Sequence, residues 1–295
     1  GTVPFLIGLA YFEQGALKVE QLFLDELGGE APMLHHLAER LARTSVLVSY
    51  NGKAFDWPLL RTRFVINRVA VPALPPHLDL LHCARRLLRP RMSSVRLVDV
   101  ERALLGFYRE DDVAGAEIPG LYLDWLRAGD ADALRPVLVH NEQDVIALAA
   151  LIDRLCARYA SVQPSADPDE HLACARVALK ARDWERAHGF ARAAADGGGA
   201  AALTHDAHAL CATVAKKRGD ASRAAEAWLL ALAQSVRGER IATAHLALAR
   251  LYERELSDLP RAYAHARHTL EAEGARAHGR RLGRLSRRLL KQTRE

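Results

Sequence analysis

The segment LVSYNGKAFDWPLL, residues 47–60, sets Asp56 where an apolar run (Leu47, Val48, Ser49, Tyr50) breaks at Asn51-Gly52 and a helical pattern begins, with Pro58 near its first turn. A carboxylate at a strand-to-helix junction has two chemical uses. It caps the helix by accepting a backbone N–H, or it ligates a metal ion. Capping accounts for Asp56 by itself. It does not account for Asn51, Phe55 and Asp56 together, directly after a buried strand, where α/β folds place their sites. A second segment, VLVHNEQDVIALAALI, holds His140 and Asp144 four residues apart with Asn141 beside them. On a helix His140 and Asp144 share one face. Polar residues at that spacing are either functional or an ordinary solvated face.

The elements that would position these residues form two textures. Residues 1–160 mix periods of two and of 3.6. FLIGLAYFE and LKVEQLFLDE read as a hairpin joined at Gln14-Gly15, APMLHHLAERLAR as a helix, and SVLVSYN as a short strand buried on both faces. DWPLLRTRFVINRV is again helical, and a long helix surrounds HNEQDVIALAALIDRLCARYA. Strand-strand-helix-strand-helix, followed by helices, is an α/β pattern with a mixed sheet. A polar linker with two prolines, residues 161–169, marks a boundary.

Beyond it, in residues 170–295, strands vanish and alanine dominates. RDWERA, GDASRA and SDLPRA recur there, with Asp183, Asp220 and Asp258 spaced 37 and 38 residues apart. The period is close to that of tetratricopeptide repeats and predicts stacked helical hairpins, with a simple helical bundle as the alternative. The final stretch, RAHGRRLGRLSRRLLKQTRE, is a basic amphipathic helix that caps the stack, touches nucleic acid or is simply solvated.

Composition narrows the partners. The net charge is +5, but residues 1–160 carry 18 Lys/Arg against 20 Asp/Glu, so the positive excess lies in the second part. The first part still has a local cluster of Arg85, Arg86, Arg89, Arg91, Arg96 and Arg102. Such a cluster is a nucleic-acid footprint or a solvated helix face. No stretch is long enough to span a bilayer, and VPFLIGLAYF lacks the flanks of a signal peptide. Four scattered cysteines without a C-x-x-C pair argue against a zinc site or a disulfide framework, so a reduced cytoplasmic protein is expected.

Together, SYNGKAFDWPLL resembles the second motif of the DEDD 3′–5′ exonucleases of the ribonuclease H-like superfamily, and HNEQDV resembles their third. HLDLLHCARRLLRPR, RLVDVERALLGFYREDDVAGAEIPGLYLDWLRAGD and PVLVHNEQDVIALAAL look like the YprB-type ribonuclease H-like domain found in bacteria. The likeness runs over residues 1 to about 158. It implies an α/β ribonuclease H-like fold with a mixed central sheet, a nucleic-acid substrate and a site for two divalent metals, Mg²⁺ or Mn²⁺. Two such ions roughly 3.5–4 Å apart activate a water and stabilise the leaving oxygen of a phosphodiester, and both prefer hard oxygen ligands. In this resemblance Asp56 and Asp144 are the metal ligands. His140 stands at the general-base or water-orienting position, with the spacing of the tyrosine-type members although the residue is histidine. Asn51 is expected to hydrogen-bond the motif loop or substrate, and Phe55 to pack in the core. Lys53, Asn141, Arg85 and Arg86 are the further substrate-binding candidates.

The family's first motif, an Asp-x-Glu on the first strand, is absent from this sequence, whose first residues are GTVPFLIGL. The expectation is therefore an N-terminally truncated domain whose central strand is missing and whose catalysis, as it stands, is absent or very weak. Two other readings stay open: a module that grips nucleic acid without cutting it, and an adaptor whose helical repeats dock a protein partner.

Overall fold

The computed structural model describes residues 2–89, 91–110, 112–129, 131–164, 166–234 and 236–292, so Gly1 lies outside it. The chain divides into two compact units, Gly1–Arg158 and Tyr159–Glu295.

The first unit begins with strands β1 (Leu6–Glu13) and β2 (Ala16–Phe23), paired antiparallel with Glu13 opposite Ala16 and Leu6 opposite Phe23. Gln14 (φ 51°) and Gly15 (φ 81°) both take the left-handed conformation that a two-residue hairpin turn needs. Alternation along the strands sends their side chains two ways. Ile7, Leu9 and Leu22 pack on Leu34, Leu37 and Leu41 of helix α1 (Glu30–Ala42) and on Phe64 of helix α2 (Asp56–Ile66). Leu6 and Phe23 pack against helices α5 (Ile118–Ala128) and α6 (Ala131–Ala160) through Tyr122, Leu134 and Val137. An aromatic cluster closes that side: the Phe5 and Tyr122 rings stack at 4.0 Å, and Phe23 meets Trp125 edge-on at 4.9 Å. The hairpin is thus a layer between helices on both faces.

Strand β3 (Leu47–Ser49) pairs in parallel with β4 (His77–Asp79), bringing Ser49 beside Asp79 at the carboxyl ends. Two expectations change here. Among the described residues the sheet consists of two separate two-stranded pieces, β1-β2 and β3-β4, instead of one continuous mixed sheet. β3 is only half-buried, because β4 is its one described neighbour, instead of buried on both faces. Helices α3 (Leu80–Leu88) and α4 (Leu97–Leu105) complete the unit.

The second unit is helical. Helices α7 (Pro168–Lys180), α8 (Trp184–Asp196), α9 (Ala201–Lys217), α10 (Ala221–Leu232), α11 (Glu239–Arg254) and α12 (Leu259–Ala266) follow one another, and α13 (Leu270–Gln292) packs on α11 and α12. The irregular link before α7 ends at Asp167, earlier than the expected residue 169. The recurring D-x-x-R-A motif is a helix start. Asp183, Asp220 and Asp258 are the N-caps of α8, α10 and α12, each accepting the backbone N–H of the arginine three residues on at 2.9–3.0 Å. The residue before each cap, Arg182, Gly219 or Ser257, has positive φ, which turns the chain sharply between paired helices. Alanines 187, 191, 224, 249 and 262 are essentially fully buried, so the helices approach closely. Among the described residues no helix is long and apolar enough to cross a membrane, and the four cysteines are free.

Replacing any one of Asp183, Asp220 or Asp258 by Ala removes one capping bond and is expected to cost about 1 kcal/mol, with Asn recovering most of it. Urea unfolding of each variant checks this, and three variants as stable as the parent would contradict the capping role.

Candidate functional site

The site lies at the carboxyl ends of β3 and β4, and Asp79 organises it. Its side chain is almost wholly buried (residue exposure 2%) and accepts three backbone N–H groups: Asn51 at 2.8 Å, Lys53 at 3.1 Å and Leu81 at 3.1 Å. The third bond caps α3. The first two pin the loop after β3, where Asn51 takes a left-handed φ of 66°. Gly52 lets that loop fold tightly: a Cβ there would lie 2.5 Å from Ser49 Oγ. Nearby, Ser49 Oγ meets His77 Nε2 at 2.7 Å. Tyr50 donates its hydroxyl to the Val95 carbonyl at 2.5 Å. Burial chiefly pushes the Tyr50 phenol up to about 12, so it acts as a neutral anchor.

Asp56 is the first residue of α2. The N-cap position belongs to Phe55, and no side-chain capping bond forms there. Capping therefore does not explain Asp56. Burial chiefly raises its carboxyl pKa; a bond from its own backbone N–H opposes this, and the charges of Asp79 and Asp144 add to the rise. The residue nonetheless keeps solvent-exposed surface. Exposure governs what can reach the carboxylate, and protein crowding governs the direction in which its proton affinity moves. Phe55 was expected in the core but is 63% exposed, because the cap position turns its ring away from the hairpin-side cluster built on Phe64 and Trp57.

Asp144 and His140 lie on one face of α6. His140 Nε2 is 3.5 Å from Asp144 Oδ2, and His140 Nδ1 is 2.6 Å from Asp112 Oδ1. The other Asp144 oxygen is held by Arg109 at 2.6 Å. Arg109 has 1% of its side chain exposed and grips Glu101, itself at 0%, through Nε at 2.9 Å and Nη2 at 2.6 Å. Burial opposes the guanidinium charge, but the bonds to Glu101 and Asp144 overcome it and move its pKa upward.

His140 and Asp144 are neighbours on α6, the charge of Asp144 is felt at Asp56, and Asn51 and Lys53 sit on the loop pinned by Asp79, just before Asp56. Asn141 turns elsewhere: its Oδ1 accepts from Gln21 Nε2 at 3.0 Å and fills the space over Gly8 of the hairpin. Arg85 and Arg86 sit on α3, where their charges are felt by Tyr50 and Cys83 respectively. Sequence reasoning passed over Asp79, Glu101, Arg109 and Asp112. The available signals were the Asp at the strand-to-helix junction of HLDLL and the charged run YREDD.

The donor set falls short of a two-metal centre. Asp56 and Asp144 supply hard carboxylate oxygens, but Asp144 is already paired with Arg109. Among the described residues no group of three or more His, Cys, Asp or Glu side chains is arranged to hold a metal. These residues alone do not fit the pair of ions that the resemblance implies.

Arg109→Met would strand the buried Glu101 carboxylate and is expected to cost about 3–5 kcal/mol, whereas Arg109→Met combined with Glu101→Leu recovers most of that loss. Urea unfolding followed by tryptophan fluorescence reads both, and a single variant as stable as the parent would contradict the arrangement.

Comparison with known proteins agrees with this architecture. The chain is 38% identical over 190 residues to a Bacillus subtilis (strain 168) protein described as uncharacterized protein YprB, covering 64% of this chain and 44% of that one. It therefore spans less than half the length of that relative. No solved structure matches the chain. The family profile RNase_H_2 matches residues 1–156. With more than half its length inside that profile, the chain belongs to the RNase H superfamily.

Proposed function

We propose that the first unit is the nuclease domain of a metal-dependent 3′–5′ exonuclease acting on DNA or RNA. Membership of the RNase H superfamily supports a nuclease-type function on nucleic acid. The observation that carries the finer reading is that the negative charge of Asp144 is felt at Asp56. Asp56 opens α2 directly after the loop pinned by Asp79, and Asp144 stands on α6. In this proposal both would contribute to holding Mg²⁺ or Mn²⁺, hard ions that carboxylates suit, at a site the described residues do not complete by themselves. His140, steadied by Asp112, orients or deprotonates the attacking water. Asn51, Lys53, Arg85 and Arg86 face the substrate, and the exposed Phe55 ring offers a stacking surface for a base. Asn141 acts indirectly, by seating α6 on the hairpin. Because two carboxylates bind two divalent ions weakly, we further propose that residues 1–295 alone cleave feebly or not at all. A protein partner on the helical repeats remains part of the proposal for the second unit.

A second reading, binding without cleavage, is favoured by one observation. Arg109 already pairs with Asp144, which lowers the negative charge available to a cation.

In any form of the protein that cleaves, Asp56→Asn and Asp144→Asn are each expected to lower the rate by more than about a hundredfold, the upper range for partners one shell further out. Gel-based cleavage of an end-labelled oligonucleotide in Mn²⁺, with circular dichroism as the folding control, checks this. Survival of activity in both variants would remove the metal assignment. Robust Mn²⁺-dependent cleavage by residues 1–295 would remove the claim of weak activity.

A further inference from the structure

Helix α13 kinks at Gly274 (φ 76°, ψ 159°). From Ala275 to Gln292 it carries six arginines, one lysine and no acidic residue. These cations fall into two sets with different surroundings.

Arg281, Arg284 and Arg288 reach the Glu253 carboxylate of α11 at 3.3, 2.8 and 3.4 Å, and Arg281 also reaches Glu273 at 2.9 Å. Leu285 is fully buried, with Leu282 and Leu289 packed beside it. This face fastens α13 to the unit.

Arg276, Arg280, Arg287 and Lys291 are exposed. Among the described residues they meet no carboxylate, and Arg287 bonds only the carbonyl of Gly283 in its own helix. At about 100° per residue these four fall within a stripe about 60° wide, on the side of the helix away from Leu285. The stripe is about 22 Å long, the axial length of about six nucleotides of one strand. Like charges four residues apart, such as Arg276 and Arg280, destabilise a helix, and among the described residues no carboxylate pairs with them to offset that cost.

We propose that this stripe is a nucleic-acid grip that binds the sugar-phosphate backbone of a single strand. Arginine forks match phosphate oxygens, and a row of unpaired cations along one helix follows a backbone without reading its bases. A membrane surface fits less well. Helices that bind membranes insert their apolar face, and here Leu282, Leu285 and Leu289 are committed to the core. The proposal rests on the nucleic-acid partner proposed above but not on cleavage.

The test uses the whole chain in EDTA with a fluorescein-labelled oligo(dT) of about 20 nucleotides, long enough to cover the stripe. Arg276, Arg280, Arg287 and Lys291 are changed together to Gln, a good helix former, so the melting temperature should hold. Fluorescence anisotropy should show affinity at low salt falling at least about tenfold, and the slope of log affinity against log salt falling by about 3, at roughly 0.7 per lost contact on a single strand. An unchanged slope would overturn the proposal, as would a parent chain that binds no oligonucleotide, whatever a cleavage assay gives. Loss of binding to phosphatidylserine vesicles with oligonucleotide binding unchanged would overturn it in favour of a membrane surface.

Discussion

A carboxylate buried at 0% exposure, as Glu101 is, obliges the fold to bring it a cation, and Arg109 answers that demand. The guanidinium has donors left after gripping Glu101, and it uses one on Asp144. A single buried charge thus ties α4, the segment after it and α6 together. On the other side of the site Asp79 plays the matching part. Three backbone N–H groups converge on it: Leu81's caps α3, and those of Asn51 and Lys53 hold the loop that leads into Asp56. Arg109, which holds Asp144, and Asp79, which pins the loop before Asp56, take no part in the proposed cleavage themselves.

Much of this was legible in the sequence, and the exceptions have physical causes. Gln14-Gly15 between two alternating runs marks a hairpin because few residue pairs accept two positive φ values, and the hairpin is present there. The D-x-x-R-A recurrence exposed the helix starts because an N-cap demands a short polar side chain. β4 has three residues, too few to display a period of two, and was missed. Arg109 lies 35 residues from Asp144, and no local pattern reports a long-range ion pair. Asn141 looked like a site residue beside His140, but neighbours on a helix diverge by about 100°, and that turn carries it to Gln21 on the hairpin. Phe55 looked like core packing beneath the site, a reading that does not specify the direction its ring takes at the N-cap of α2, where it is exposed.

The second unit shows the same economy of charge. Glu253 gathers three arginines of α13 around one buried carboxylate, which leaves the remaining cations of that helix facing outward. Where a charge is paired, it positions an element; where it is unpaired and exposed, it is free for a partner.

The most direct test of the account is a Mn²⁺ titration of the chain followed by electron paramagnetic resonance, comparing the parent with Asp56→Asn and Asp144→Asn. The proposed metal assignment predicts weak binding in the parent that either substitution removes, since it makes both carboxylates ligands of one ion site that these residues only partly furnish. Tight binding that both variants retain would contradict it and place any metal chemistry elsewhere in the protein.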